Sequence, residues 1–432
     1  MRKYFLLLSA LFFSTSLLAQ EAKKAIKENP LLSASNYLAY PEPTQALTPA
    51  PAGYYPFYIS HYGRHGSRYL IGKNDYDKPY FTLLKADSLN QLTAMGKDVL
   101  QKVRMIRDEA KSRDGELTLR GAEQHKGIAK RMYENFPEVF VGKTHVDAKS
   151  TTVIRCILSM ENALQQLLVE NPQLVIRHDA SVHDMYYMNQ NDPYIEKMKH
   201  TPEQRKAYAD FEAKHLHFDG VMNKIFKDEN YWKNSVDAKS LNRSLFALAG
   251  NIQSTELRHS ISLYNLFTDE EIYDNWQLSN AWWYIAYGPS KLSGGVQPFS
   301  QRNLLRRIIH EADSCMSLPQ PGATLRYGHD TMVMPLTCLL DLDGLGKQID
   351  DLDQLDDENW CDYQIFPMAC NIQFVFYRKN KADNDILFKV LRNEKEATLP
   401  IKTDRAPYYH WSDFKNYFLN KIDEYEKAHP AK

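Results

Sequence analysis

Tyr54-Tyr55-Pro56-Phe57-Tyr58-Ile59-Ser60-His61-Tyr62-Gly63-Arg64-His65-Gly66-Ser67-Arg68 is the stretch on which the fold turns. Tyr54 to Ser60 is aromatic and β-branched enough for a buried strand, and the charged cluster Arg64 to Arg68 follows at its carboxyl end. Outward from there the pattern of strand followed by helix repeats. Helical spacing is expected from about Ser88 to Ser112. A second helix starts near Thr118 and ends before Pro137, with Leu119, Ala122, Ala129, Met132, Tyr133 and Phe136 on one face. Asp147 to Val153 reads as a strand and Arg155 to about Glu170 as the helix after it. Ala323 to Tyr327, Asn371 to Tyr377 and Ile386 to Leu391 are further strands, with a helix over Asp330 to about Leu340.

Between residues 181 and 315 the β-type alternation fades and helix-start signals take over. Thr201-Pro202-Glu203-Gln204 and Thr268-Asp269-Glu270-Glu271 have the capping-box form. The expected class is therefore α/β, a mixed, mostly parallel sheet flanked by helices, with an inserted, mostly α-helical cap domain. Residues 20–180 and 316–432 supply the two parts of the core. The aromatic residues around Trp276, Trp282 and Trp283 read as core.

Lys and Arg total 53 against 54 Asp and Glu, a net charge of −1, so no overall basic field exists to hold a nucleic-acid backbone or an anionic membrane. Residues 1–19 have the layout of a cleavable signal peptide: Arg2 and Lys3, an apolar run from Tyr4 to Leu18, then Ala19 before a polar stretch. Their removal would leave a charge of −3 and a chain bound for a secreted or periplasmic location. No later run is long enough to span a membrane. Five cysteines, Cys156, Cys315, Cys338, Cys361 and Cys370, leave at least one unpaired. Cys361 and Cys370 are near enough in sequence to close a small loop, but free buried thiols are the commoner outcome in a chain this long.

In Arg64-His65-Gly66-Ser67-Arg68 two guanidinium forks flank one imidazole, and the glycine lets the backbone turn so that the side chains converge. Such a cluster suits a dianionic phosphate: the forks donate paired hydrogen bonds and a neutral ring nitrogen can attack phosphorus. Arg155 and the pair His329-Asp330 also fall where a strand gives way to a helix. Three charged segments are thus expected at the ligand-binding side of an open α/β sheet, beside helix N-termini. His61 and His65 are four apart, but Gly63 and Gly66 argue against the helix a metal pair would need, so no metal is expected there. His125 falls on the apolar face of its helix and reads as a core histidine.

The sequence resembles the histidine acid phosphatase family, the branch that contains phytases, acid phosphatases and multiple inositol polyphosphate phosphatases. The resemblance rests on Arg64-His65-Gly66-Ser67-Arg68, on Thr151-Thr152-Val153-Ile154-Arg155 followed by Ser159, and on Gly328-His329-Asp330-Thr331, in that order. It implies that His65 is the nucleophile and that Arg64, Arg68, Arg155 and His329 hold the phosphoryl oxygens. It further implies that Asp330 protonates the leaving alcohol, that the pH optimum is acidic and that neither metal nor cofactor is required. The partner is then a small phosphate monoester, an inositol phosphate such as phytate in first place and a sugar phosphate next. Two features depart from the pattern. Leu70 stands where many members have proline, and Asp330 follows His329 directly, whereas the inositol polyphosphate group usually carries His-Ala-Glu. The substrate pocket is expected between the α/β core and the helical insertion, with Lys197, Lys199, Arg302 and Arg306 as candidates for further phosphates. Two other readings stay open, a phosphoglycerate-mutase-like phosphotransferase and a non-catalytic phosphate-ester binding protein.

Overall fold

The computed structural model describes residues 21–189 and 192–430; the expected signal peptide at 1–19 lies outside them. Eight strands form one sheet: β1 (Tyr55–Arg64), β2 (His145–Ser150), β3 (Val175–Asp179), β4 (Gly322–Gly328), β5 (Asn371–Arg378), β6 (Leu387–Arg392), β7 (Lys395–Ala397) and β8 (Tyr409–His410). The order is β3-β2-β4-β1-β5-β6-β7, with β8 on β6. β3, β2, β4 and β1 are mutually parallel and β5 to β8 are antiparallel, so the sheet is mixed. β4 and β5 are buried at every residue, the environment that favours near-continuous apolar runs over alternation.

The longer helices are α1 (Lys73–Ser88), α2 (Ala94–Glu109), α3 (Leu119–Asn135), α4 (Ile154–Glu170), α5 (Pro202–His215), α6 (Ala238–Asn251), α7 (Asp269–Tyr287), α8 (Arg302–Met316), α9 (Asp330–Leu339) and α10 (Trp411–Ala428). The box at α7 forms as expected, Glu271 N–H donating to Thr268 Oγ1 at 3.2 Å and Thr268 N–H to Glu271 Oε2 at 2.8 Å. Thr201 caps α5 through Gln204 N–H at 3.2 Å. The expected helix at Ser88 to Ser112 is α2, which begins only at Ala94 because Thr93 caps it, and α1 precedes it as a separate helix that ends at Ser88.

Three apolar clusters organise the packing. One lies under α8, α9 and α10 against β5 and β6. Another covers the opposite face under α3 and α4. The third belongs to the helical region between β3 and β4, where Leu241, Leu245, Leu248 and Trp276 pack with Leu83, Val99 and Val103 from α1 and α2. The helical lobe therefore draws in residues from well before 181. Trp276 and Trp283 are buried in these clusters, whereas Trp282 is exposed. All five cysteines are free thiols, Cys361 and Cys370 included. No helix of the described residues is long and apolar enough to cross a membrane.

Candidate active site

The parallel register of β1 and β4 builds the site. Arg64, the last residue of β1, lies opposite Gly328, the last of β4, so the loops leaving both strands start side by side. His65 N–H donates to the Gly328 carbonyl at 2.9 Å and Arg64 N–H to Cys370 O at 2.8 Å, which fixes the loop base. α3 clasps the other side. Its capping residue Thr118 donates through N–H to Ser67 O at 2.9 Å, and Gln124 Oε1 accepts from Ser67 N–H at 2.8 Å. The contact is so close that a Cβ on Gly66 would stand 2.3 Å from the Gly121 carbonyl oxygen, which leaves room for glycine alone.

His65 and His329 face each other edge to face with ring centroids 5.9 Å apart. His65 Nδ1 lies 2.9 Å from the Gly66 carbonyl oxygen. A carbonyl only accepts, so Nδ1 carries the ring proton and Nε2 keeps its lone pair. Burial, then Arg64, Arg68, Arg155 and His329, hold the ring well below the ordinary histidine range, so it is neutral and nucleophilic in weak acid. His329 is pushed down to about 4, first by burial and then by Arg155, Arg64 and Arg68, with Asp330 opposing. Thr151 Oγ1 lies 3.2 Å from its Nε2. Arg155 projects from the first turn of α4, and Ser159 one turn on accepts Gly66 N–H at 3.1 Å.

Arg64 is completely buried. Its Nη1 donates to the carbonyls of Asn36 and Phe366 at 2.5 and 3.0 Å, and its Nη2 pairs with Asp330 Oδ2 at 2.8 Å. Burial pushes the Asp330 carboxyl up. Arg64, the Asn36 amide, Arg68 and His329 outweigh that and hold it below the usual carboxylate range. The Nε atoms of Arg64, Arg68 and Arg155 are buried with no hydrogen-bond partner among the described residues. Buried guanidinium donors are normally satisfied, so three orphans around one imidazole mark an anion site.

The six residues singled out from the sequence therefore share one locus. The auxiliary cations are paired or exposed elsewhere, although Lys199 also lines a cavity of about 260 Å³ that reaches Thr331. Arg302 pairs with Asp192 at 2.7 Å, and Arg306 pairs with Asp423 and Glu426 of α10 at 2.5 and 2.7 Å, so these arginines fasten α8 to its neighbours. Lys199 pairs with Glu196 at 2.8 Å, and Lys197 is exposed. What the sequence reading missed is a strap ahead of the sheet, a 3-10 helix over Pro30–Tyr37. It roofs the site together with the helical lobe: Asn36 reaches Asp330, and the Tyr37 ring lies 5.1 Å from the Arg68 guanidinium carbon. The only sequence signal there is Asn29-Pro30, a capping residue followed by proline at the first helical position. His61 and His125, pushed down by burial to about 3, flank the Tyr327 ring beneath the site.

A mixed α/β sheet that presents a neutral imidazole, the buried guanidinium groups of Arg64 and Arg68, the half-buried one of Arg155 and a carboxyl at its carboxyl edge has the makings of a phosphomonoesterase site. The profile of the histidine phosphatase superfamily (branch 2) matches residues 63–393, and the chain belongs to that family. No curated protein matches it. Among solved structures it is similar to the multiple inositol polyphosphate phosphatase of Bifidobacterium longum in complex with inositol hexasulfate. That likeness has 18% identity and a TM-score of 0.68, over 89% of this chain and 97% of that one. The phytase from D. castellii is similar at 13% identity and a TM-score of 0.65, over 91% and 84% of the two chains. A Hafnia alvei phytase in complex with myo-inositol hexakis sulphate follows at 14% and 0.53, over 86% and 98%.

Proposed function

We propose that this chain is an exported acid phosphatase that hydrolyses phosphate monoesters through a phosphohistidine at His65, with inositol polyphosphates as the favoured substrate and sugar phosphates next. The observation that carries the reading is the ring of three unpartnered guanidinium Nε donors around a histidine whose Nε2 lone pair is free to react. His65 Nε2 attacks phosphorus, the bond from phosphorus to the ester oxygen breaks, and Asp330 gives its proton to the departing alkoxide. Water then attacks the phosphohistidine and passes a proton to Asp330, which restores both residues. The guanidinium groups of Arg64, Arg68 and Arg155 take the charge on the equatorial oxygens, the part that a metal plays in other phosphoryl transfers.

In the free site Arg64 holds Asp330 ionised. A bound phosphate dianion engages the same guanidinium and adds negative charge nearby, and both effects raise the carboxyl towards its acidic form. Substrate thus arms its own proton donor. Two cavities beside the site, of about 200 Å³ against Asn36 and Tyr37 and about 260 Å³ against Thr331, give a bulky leaving group somewhere to lie. The inositol polyphosphate preference is supported by the Bifidobacterium longum and Hafnia alvei proteins, which were solved with sulfated inositols, and export by the layout of residues 1–19.

The test is phosphate release from phytate, a sugar phosphate and an aryl phosphate between about pH 3 and about pH 8, with acid quenching to trap the phosphoenzyme. Release without added acceptor, fastest on phytate, is the expected result. Transfer to an added alcohol with no release identifies a phosphotransferase, and the absence of any acid-stable phosphoenzyme overturns the His65 route.

A further inference from the structure

Asp330 does not meet its surroundings evenly. Oδ2 accepts a hydrogen bond from the Asn36 side-chain nitrogen at 3.0 Å and lies 2.8 Å from the Arg64 Nη2 charge, which makes no hydrogen bond of its own, while Oδ1 accepts only the N–H of the next residue, Thr331, at 2.9 Å. An oxygen that already accepts an amide N–H and lies against a guanidinium charge is a poor place for a proton.

We propose that Asn36 is a positioning residue for the proton donor: its amide occupies Oδ2, beside the Arg64 charge, and so directs the acid proton to Oδ1, the oxygen left to deliver it to the leaving group. This rests on the reading of Asp330 as the donor.

The way the strap is held supports it. Ser35 sits at φ 57°, ψ −127°, a conformation that residues with side chains seldom adopt, and such strain persists only where neighbours over-determine it. Here they do. The Ser35 hydroxyl donates to the buried Asp362 carboxylate and accepts from Ser279 Oγ at 2.8 Å, and Trp276 Nε1 donates to the other Asp362 oxygen at 2.8 Å. On its far side, the Asn36 carbonyl accepts Arg64 Nη1. Residues from β1, α7 and the loop before β5 thus hold one strained turn, whose product is the placement of a single amide against the Asp330 carboxyl.

The charged and titratable groups that face Asp330 are Arg64 from β1, Arg68 from the loop after it, Arg155 and Cys156 from α4, His329 beside it, Tyr287 from α7 and Cys370 before β5. Guanidinium, thiol and phenol groups do not change charge in the acid range, whereas His329, at about 4, does, so it is the Asp330→Asn enzyme that assigns the alkaline limb of kcat against pH to Asp330. Asn36 stabilises the ionised carboxyl, and removing that donor raises its pKa.

Asn36→Ala and Asn36→Leu are therefore expected to move the alkaline limb of kcat on an alkyl phosphate upwards by about 0.5 to 1 pH unit. Asn36→Asp, which adds a like charge, moves it further and carries the test if the apolar variants fail to fold. Inhibition by inorganic phosphate, measured alongside, reports that the guanidinium site is intact. A limb that stays in place while kcat falls equally at every pH means a structural role and overturns the proposal, as does a profile identical to the parent's. The parallel Asp330→Asn enzyme separates the two readings. If it keeps the alkaline limb, Asp330 is not the donor and both readings fail; if it loses the limb while the Asn36 variants leave theirs unmoved, only the Asn36 assignment fails.

Discussion

At His65 the Gly66 carbonyl settles which ring nitrogen is free, and that nitrogen carries the chemistry. His65→Ala is expected to lower phosphate release by about 10³-fold or more while inorganic phosphate still competes at the arginines, read as turnover against binding. Asp330→Asn is expected to cost about 10²- to 10⁴-fold on alkyl phosphates and far less on an aryl phosphate, whose leaving group needs no proton; a plot of kcat against leaving-group pKa checks this. His65, Arg64, Arg68, Arg155, His329 and Asp330 were legible because each lies in a short charged motif at a strand end. Asn36 and Tyr37 were not. They come from a segment whose decisive property, the positive φ of Ser35, leaves no mark on composition or periodicity.

Among the elements, the N-terminus of α3 decides whether the nucleophile loop can close. A methyl group on Gly66 would meet the Gly121 carbonyl oxygen at 2.3 Å, and one on Gly121 would meet the Ser67 carbonyl oxygen at 2.2 Å. Backbone cannot give way as a flexible side chain can, so Gly66→Ala or Gly121→Ala is expected to cost about 1–3 kcal/mol in denaturant titration and to depress kcat as the loop is displaced. β1, α3, α4, β4, α9 and β5 were readable within a few residues because burial or amphipathic spacing marks them. β3 is a short edge strand, mostly exposed and carrying Arg177, His178 and Asp179, so it shows no apolar run. α1 contains Pro79 and a polar majority, and its helical signal is correspondingly weak.

For the whole molecule, acid acts on buried histidines. His61 and His125 at about 3 and His329 at about 4 resist protonation when folded, whereas an unfolded chain takes up those protons near the ordinary value of 6.5. The unfolded state thus binds more protons between about pH 6.5 and about pH 4, and stability falls as pH is lowered through that window. Asp362, pushed up to about 6 by burial, has the opposite sign, but it stands against three imidazoles. Tm is expected to drop on going from pH 7 to pH 4, measured by calorimetry. Inorganic phosphate is expected to restore part of it, by about 2.7 kcal/mol at a hundredfold excess over Kd. The helical lobe was legible as a change of character after residue 180. Its sharing of a core with α1 and α2 was not, because packing across that distance in sequence depends on topology.

The strand pairing that sets Arg64 against Gly328 has one more consequence. The attacking ring and the group that must answer it lie on neighbouring strands separated by most of the polypeptide, so a chain emerging from the ribosome holds an inert nucleophile until its last third has been made and docked. Turnover is in this sense a late-arriving property, and its recovery after dilution from denaturant reports completion of the entire tertiary structure rather than the return of any one part.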